Sequence, residues 1–268
     1  MNDKTLMQPK NKPFIGRLAA AAGMATLAAA IGLVPLDNAR AAGEDGTFVF
    51  AMDGQYPPFN TRQGQRVYGF DVDIGTAIAR QIGMQPEPTV NPWQTLIAAL
   101  KSDRFDAIIG SMAITEERQK EVAFSDPYYT SGAQVFVGED SDIDSLDELE
   151  GKRIGVLVSS TFQEVAREIT DDIQTYPSDV TALNDLTIRG RLDAVITDQL
   201  VGEYAINEND LPIQKLGEPL YVDRMGIAVN KEDSELLGKI NEALEAIMND
   251  GTYAAISHEY FGRDIMND

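Results

Sequence analysis

The feature that most constrains the fold is an alternation of short apolar runs with stretches of helical periodicity. The run Thr47–Met52 is typical of a strand, and apolar residues then recur at helical spacing from Phe70 to Ile82. Further strands are predicted at 107–112, 153–158, 193–197 and 225–230, and further helices at 96–100, 161–169 and 234–261, the last with a break at Gly251. Strands that alternate with helices favour parallel sheets in an α/β fold.

A short segment recurs in type between the two halves of the chain. Residues 104–109 have the sequence Arg-Phe-Asp-Ala-Ile-Ile, and residues 191–196 have the sequence Arg-Leu-Asp-Ala-Val-Ile. Each copy follows a predicted helix and leads into a predicted strand. We interpret the two copies as corresponding βα units of two lobes, which predicts a binding cleft between the lobes near the carboxyl ends of the strands.

The first 41 residues have the order of features that is typical of a secretory signal peptide. Basic residues at 10, 12 and 17 precede an Ala- and Leu-rich stretch at 18–36, and residues 39–41 have the small-residue sequence Ala-Arg-Ala. A membrane anchor is the alternative, since about 20 apolar residues can span a bilayer. The stretch consists mostly of Ala and Gly with a proline near its end, which favours cleavage near Ala41 and export.

Charge and cysteine content exclude several classes of protein. The chain has 43 acidic and 22 basic residues, a formal net charge of -21. A surface this acidic repels nucleic acid and anionic lipid, so neither is expected as a partner. The absence of cysteine excludes disulfides, thiol nucleophiles and thiolate metal sites, and no cofactor or metal site is predicted. His258 is the only histidine, and we expect it to be solvated on a terminal helix.

Two candidate ligand-binding segments lie in the first half of the chain. Asp53 and Tyr56 follow the first strand, where an acid and an aromatic ring could hold a cation and cover its alkyl chain; an ordinary turn with a solvated Asp53 is the alternative. Arg118 falls in the first turn of a helix that Thr115 can cap, where a cation opposes the helix dipole. An anion bound at that helix start would explain Arg118, and a surface arginine is the alternative.

Two further candidates lie in the second half. Ser160 and Thr161 open a helix directly after a strand and offer free N–H donors to an anion, although capping alone would also explain them. Asp198 ends another strand, where it could accept an ammonium group or simply cap the next helix. Two anion sites and two carboxylates at strand ends are the set that a zwitterionic ligand requires.

The chain resembles the family 3 extracellular solute-binding proteins, which are periplasmic amino-acid receptors of ABC transporters. The resemblance covers about residues 46–265. The motifs that carry it are Tyr-Pro-Pro-Phe at 56–59, Gly-Phe-Asp-Val-Asp-Ile at 69–74, Ile-Thr-Glu-Glu-Arg at 114–118, Phe-Ser-Asp-Pro-Tyr at 124–128, Gly-Val-Leu at 155–157, Asp-Gly-Thr-Tyr at 250–253 and Tyr-Phe at 260–261.

The resemblance implies the type II periplasmic binding protein fold, in which two α/β lobes close over a ligand about two crossing hinge strands. Residues 46–131 and 224–268 would form lobe I, and residues 132–223 would form lobe II, after a signal peptide at 1–41. A monomer that delivers a polar or cationic amino acid to a membrane permease is implied, without catalytic residues.

The resemblance also implies roles for individual residues. Arg118 and the amide of Thr161 would hold the ligand's α-carboxylate, and Asp198 its α-ammonium. Tyr56 and Trp93 would enclose the side chain. The remaining predicted site residues are Asp53, which in relatives selective for basic amino acids meets the cationic end, and Gly110, Ser111, Ala113 and Ser160.

Ala113 departs from the family pattern, since many relatives have there a Ser or Thr hydroxyl that helps to bind the ammonium. Its loss weakens recognition of the amine by about 1 kcal/mol, or it indicates a ligand with a secondary or blocked amine, such as an opine or an ectoine-like solute. A cyclohexadienyl dehydratase on the same fold, with Asp53 or Asp198 as the acid, is a further alternative. A sensor module fused to a kinase or channel is not favoured, because the chain ends seven residues after Phe261.

Overall fold

A computed structural model of the chain describes residues 46–266, within which helices and strands alternate as the sequence predicts. The predicted signal peptide at 1–41 lies outside the described residues. The strands are β1 Thr47–Met52, β2 Gln55–Tyr56, β3 Asn60–Gln63, β4 Arg66–Tyr68, β5 Gln85–Val90, β6 Ala107–Ala113, β7 Ala123–Phe124, β8 Tyr129–Gly138, β9 Ile154–Leu157, β10 Ile173–Tyr176, β11 Ala194–Asp198 and β12 Ile213–Val229. The helices are α1 Phe70–Gln81, α2 Leu96–Leu100, α3 Glu116–Glu121, α4 Thr161–Ile169, α5 Asp179–Leu186, α6 Gln199–Asn209, α7 Ser234–Asn249 and α8 Thr252–Phe261.

The main sheet contains two parallel groups of strands that two long strands connect. The strand order is β10-β9-β11-β8-β12-β6-β1-β5, and β7 pairs with β12 outside this path. β5, β1 and β6 pair in parallel, and so do β10, β9 and β11. β8 and β12 run antiparallel to their neighbours. The two outer groups are therefore parallel, as the sequence predicts, and β8 and β12 join them in antiparallel orientation.

β12 is much longer than the strand predicted from the sequence. Its 17 residues extend from Ile213 to Val229, whereas the sequence predicts a strand only at 225–230. Gly217 and Pro219 are typical of a turn, but β12 continues past them through an irregularity in its register with β8. In the second half of β12, Tyr221, Asp223 and Met225 are less exposed than the residues between them, so they share one face of the strand.

The two copies of the repeated segment have the same structural role. Asp106 precedes β6, and its Oδ2 accepts a hydrogen bond of 2.7 Å from the backbone N–H of Val49 near the start of β1. Asp193 precedes β11, and its Oδ2 accepts one of 2.8 Å from the backbone N–H of Arg153, directly before β9. Each aspartate thus links the residue before one strand to the start of the neighbouring parallel strand.

Apolar side chains on the helices hold the carboxyl ends of the strands in place. α1 packs through the fully buried Ile74 and Ile78 against one face of β1 and β6, and α2 packs through Leu96 and Leu100 on another apolar cluster. Gly75 allows the close approach of α1, because a Cβ there would lie 2.4 Å from the ring of Phe50. Each buried side chain of this size stabilises the fold by about 1.5–3 kcal/mol.

Candidate ligand-binding cleft

A cleft with an empty volume of about 400 Å³ lies at the carboxyl ends of β1, β6 and β9. Nine of the ten predicted site residues line it, namely Asp53, Tyr56, Trp93, Gly110, Ser111, Ala113, Arg118, Ser160 and Thr161. Four further lining residues were not predicted from the sequence: Leu157, Phe162, Asp223 and Met225. The structure thus brings together in one cleft segments that are more than 100 residues apart in the chain.

Arg118 presents a cationic group that has no acidic partner among the described residues. As predicted, Thr115 caps α3, and its Oγ1 accepts a hydrogen bond of 3.2 Å from the backbone N–H of Arg118. Nη1 of Arg118 donates to the carbonyl oxygen of Ala113 at 2.9 Å, and the guanidinium carbon lies 5.3 Å from the centre of the Trp93 ring. Within residues 46–266 no carboxylate lies within 4.0 Å of this guanidinium. Burial lowers the pKa of Arg118, so an anionic ligand would relieve an uncompensated charge.

The start of α4 provides a second group of donors to the cleft. Ser160 is the N-cap, and its Oγ accepts from the backbone N–H of Gln163 at 3.2 Å and donates to the carbonyl oxygen of Leu157 at 2.6 Å. Thr161 opens the helix. The first backbone N–H groups of a helix have no intrahelical acceptor and carry the positive end of the helix dipole. Together with Arg118, this helix start can therefore bind a carboxylate.

Asp53 contributes a carboxylate on another wall of the cleft. Its Oδ1 accepts a hydrogen bond of 3.0 Å from the backbone N–H of Gln55, which closes a short turn after β1. Burial raises the pKa of Asp53 to about 6. Tyr56, from the same loop, is buried and stacks on Phe59 with ring centres 5.5 Å apart. An acid beside an aromatic surface can hold a cationic group and cover the alkyl chain that bears it.

Asp198 lies outside the cleft lining. It ends β11 and is 1% exposed. Its Oδ1 accepts from Ser131 Oγ at 2.8 Å and from the backbone N–H of Leu200 at 2.7 Å, so it caps α6 as the alternative interpretation of the sequence expected. Its Oδ2 has no hydrogen-bond partner in the described part of the chain, and burial raises the pKa of Asp198 to about 7. Its role as the ammonium acceptor stays a prediction.

Asp223 is a cleft residue that the sequence analysis did not identify. It lies on β12, half-buried, and its Oδ2 accepts a hydrogen bond of 2.9 Å from Thr161 Oγ1. The sequence analysis predicts a strand only at 225–230, so Asp223 falls outside it. No apolar alternation in the sequence marks the longer strand, because Asp223 is flanked by Val222 and Arg224 and follows Gly217 and Pro219, which are typical of a turn.

A buried hydrogen-bond network supports two of the cleft loops from behind. Asp71 is fully buried; its Oδ2 accepts from Asn60 Nδ2 at 2.7 Å and from Ser111 Oγ at 2.9 Å, and its Oδ1 accepts from the hydroxyl of Tyr128 at 2.7 Å. Asn60 Oδ1 in turn accepts from the backbone N–H of Gly54 at 2.9 Å. The loop after β1 and the end of β6 are therefore tied to the same carboxylate.

The family of the chain follows from comparison with known proteins. Residues 48–263 match the model of the bacterial extracellular solute-binding proteins, family 3. The chain belongs to this family. Its fold is accordingly the type II two-lobed fold.

Members of family 3 with related sequences include two named receptors. The L-cystine-binding protein TcyJ of Escherichia coli strain K12 is 32% identical over 227 residues, which cover 83% of this chain and 85% of that protein. The L-arginine-binding protein of Pseudomonas aeruginosa is 36% identical over 228 residues, covering 80% of this chain and 87% of that protein. A solved structure of an ancestral arginine-binding protein bound to arginine superposes with a TM-score of 0.76 at 36% identity, covering 81% of this chain and 99% of that one.

The described residues contain neither a candidate membrane span nor a candidate metal site. Between residues 46 and 266 no helix is long and apolar enough to cross a membrane. In the same part of the family 3 chain, no cluster of three or more His, Cys, Asp or Glu side chains is placed to hold a metal ion. His258 is exposed on α8 and lies outside the cleft lining, as expected.

Proposed function

We propose that this protein is the periplasmic ligand-binding component of an amino-acid ABC importer and that its ligand is a basic amino acid. The observation that carries the ligand class is the pattern of unpaired charges in the cleft. Arg118 has no carboxylate partner and Asp53 has no cationic partner within 4.0 Å among the described residues. A ligand with a carboxylate at one end and a cation at the other satisfies both.

The two ends of the ligand are assigned to opposite sides of the cleft. Its α-carboxylate binds the guanidinium of Arg118 and the backbone N–H groups at the start of α4, since a charge-assisted pair and a helix N-terminus both favour an anion. Its side-chain cation meets Asp53, and Tyr56 and Trp93 enclose the alkyl chain between them. The α-ammonium is assigned to Asp198, whose Oδ2 has no partner within residues 46–266.

Closure of the two lobes delivers the ligand to this site. We place lobe I at residues 46–131 and 224–268 and lobe II at residues 132–223, so that the chain crosses where Ser131 pairs with Asp223 on β8 and β12. The open form binds ligand on lobe I, and closure brings the start of α4 onto it. The closed monomer, exported by cleavage near residue 41, then docks on its membrane permease.

Calorimetric titration of the mature protein, unfolded and refolded to remove carried-over ligand, tests the proposal. The panel contains L-arginine, L-lysine, L-ornithine, L-histidine, L-glutamine, L-glutamate, L-cystine, an opine and ectoine. We expect the basic amino acids to bind most tightly and to be recovered chemically unchanged, as mass spectrometry of the eluted ligand would show. Equal or tighter binding of glutamate or glutamine would contradict the ligand class, and turnover of arogenate or prephenate would contradict the receptor.

A second ligand class, with a secondary or blocked amine, is favoured by one residue. Ala113 lines the cleft and offers no hydroxyl to an ammonium group. Binding of only the opine or ectoine would agree with a receptor function. It would attribute the preference for a secondary or blocked amine to Ala113. An Ala113→Ser variant then discriminates, because the added acceptor strengthens binding of a primary amine and leaves that of a blocked amine unchanged.

A further inference from the structure

Asp223 is a charged side chain of the cleft lining that has so far no ligand group as its partner. Asp223 lies on β12, on the same face as Met225, and Met225 pairs directly with Ala113 of β6. Because side chains two residues apart on a strand share a face, Asp223 lies next along the wall that Ala113 and Met225 form. All three residues line the cleft.

The charges that line the cleft match a ligand with two cations and one carboxylate. Asp53, Arg118 and Asp223 are its charged lining residues. In the described residues none of the three has an oppositely charged group within 4.0 Å. Arg118 can pair with a carboxylate and Asp53 with a side-chain cation, so Asp223 remains as a partly buried carboxylate that a second cation would compensate.

The position of Asp223 decides which of the two cations it meets. Burial raises the pKa of Asp223, and both its hydrogen bond from Thr161 and the charge of Arg118 lower it. Nη1 of Arg118 donates to the carbonyl oxygen of Ala113, which pairs with Met225, and Met225 is two residues from Asp223 on β12. Asp223 therefore lies at the Arg118 end of the cleft. In an amino acid the α-ammonium is one carbon away from the carboxylate, so it lies at this end too.

We infer that Asp223 is a further ligand-binding residue that accepts a hydrogen bond from the α-ammonium group of the ligand. Thr161 Oγ1 donates to Oδ2 of Asp223 and leaves Oδ1 to the ligand. An ammonium group has three N–H donors, so Asp223 and Asp198 can both accept from it. This inference rests on the proposed function, because it needs the ligand carboxylate at Arg118.

The test compares ligands that differ only in the α-amino group. Calorimetry measures L-arginine against 5-guanidinopentanoic acid, and L-lysine against 6-aminohexanoic acid, with displacement of the parent amino acid used for weak binding. The variant is Asp223→Asn, which keeps the shape and an acceptor for Thr161. The control is Asp144→Asn at an exposed position, which changes the net charge equally. Thermal melts establish that each variant is folded.

We expect Asp223→Asn to weaken L-arginine or L-lysine by about 10- to 100-fold and the analogue without the α-amine by less than about threefold. Equal losses for both members of a pair, or no loss for either, would overturn the assignment of Asp223 while leaving the receptor proposal intact. Absence of binding of both amino acids to the wild-type protein would overturn the proposed ligand class, and this inference with it.

Discussion

The indole Nε1 of Trp93 lies 3.4 Å from the carbonyl oxygen of Ser159, which joins the segment after β5 to the loop between β9 and α4. Trp93 belongs to the part of the chain assigned to lobe I and Ser159 to the part assigned to lobe II. The same indole lies 5.3 Å from the guanidinium carbon of Arg118. Trp93 therefore reports both on contact between the two walls and on the group that is proposed to hold the ligand.

Ligand binding should change the fluorescence of the protein, because Trp93 is its only tryptophan. Addition of L-arginine to ligand-stripped protein should shift the emission maximum to shorter wavelength as the ligand covers the ring and excludes water. Titration in a fluorimeter measures this shift, and a Trp93→Phe variant is the control for tyrosine emission. An unchanged spectrum, under conditions where calorimetry detects binding, would contradict the placement of the ligand against Trp93.

Removal of the Arg118 guanidinium should abolish most of the affinity. Arg118→Ala leaves the ligand carboxylate without its charged partner, which should cost about 2–5 kcal/mol of binding free energy in calorimetry with L-arginine. Arg189→Ala removes the same charge from an exposed position and should bind like the wild type. Wild-type affinity in Arg118→Ala would contradict the placement of the ligand carboxylate at this end of the cleft.

Binding of a basic amino acid should weaken on acidification. Burial raises the pKa of Asp53 to about 6 in the ligand-free protein. At pH 8 its carboxylate is ionised and attracts the cation; at pH 5 about nine-tenths of it is protonated, and this change at Asp53 alone should lower the affinity about tenfold. Dissociation constants of L-arginine measured from pH 8 to pH 5 check this. The Asp53→Asn variant should bind more weakly at pH 8 and lose less on acidification; parallel profiles would exclude Asp53 from the effect.

The stability of the fold should rise as the pH falls from 8 to 5. Asp179 is 1% exposed, and burial raises its pKa from 3.8 to about 7. The folded state therefore binds this proton more tightly than the unfolded state, so the stability that the group contributes is fully present below about pH 3.8 and is lost as the pH rises through 7. Ionisation of Asp179 at pH 8 lowers the free energy of unfolding by about 4 kcal/mol.

An Asp179→Asn variant isolates this contribution in thermal melts. Asparagine keeps the acceptor for Thr197 Oγ1, which donates to Asp179 Oδ1 at 2.6 Å, and it remains neutral. We expect the Tm of the variant to exceed that of the wild type by several degrees at pH 8 and to approach it at pH 5. Asp144→Asn, at an exposed position, should follow the wild type at both pH values. A Tm difference that does not change with pH would contradict ionisation of Asp179 as the cause.

Local patterns predicted most of the cleft, and long-range pairing explains what they missed. Arg118 could be found because a helix start and its cap lie within four residues of each other. Asp223 could not be found in this way, because β12 extends past Gly217 only by pairing with β8, which lies more than 70 residues earlier in the chain. For Asp198 the sequence indicated both a cap and an acceptor; one oxygen serves the cap, and the other has no partner within residues 46–266.

The carboxylate of Asp71 limits how the ligand selectivity of this receptor can be changed. It holds Ser111 directly and the loop of Gly54 through Asn60, yet it is fully buried and lies outside the cleft lining. Substitutions at Asp53, Ala113 or Asp223 exchange groups that a ligand can touch, whereas a substitution at Asp71 would release two loops at once. A library that randomises the lining residues and keeps Asp71 constant would therefore sample new ligands on an intact scaffold.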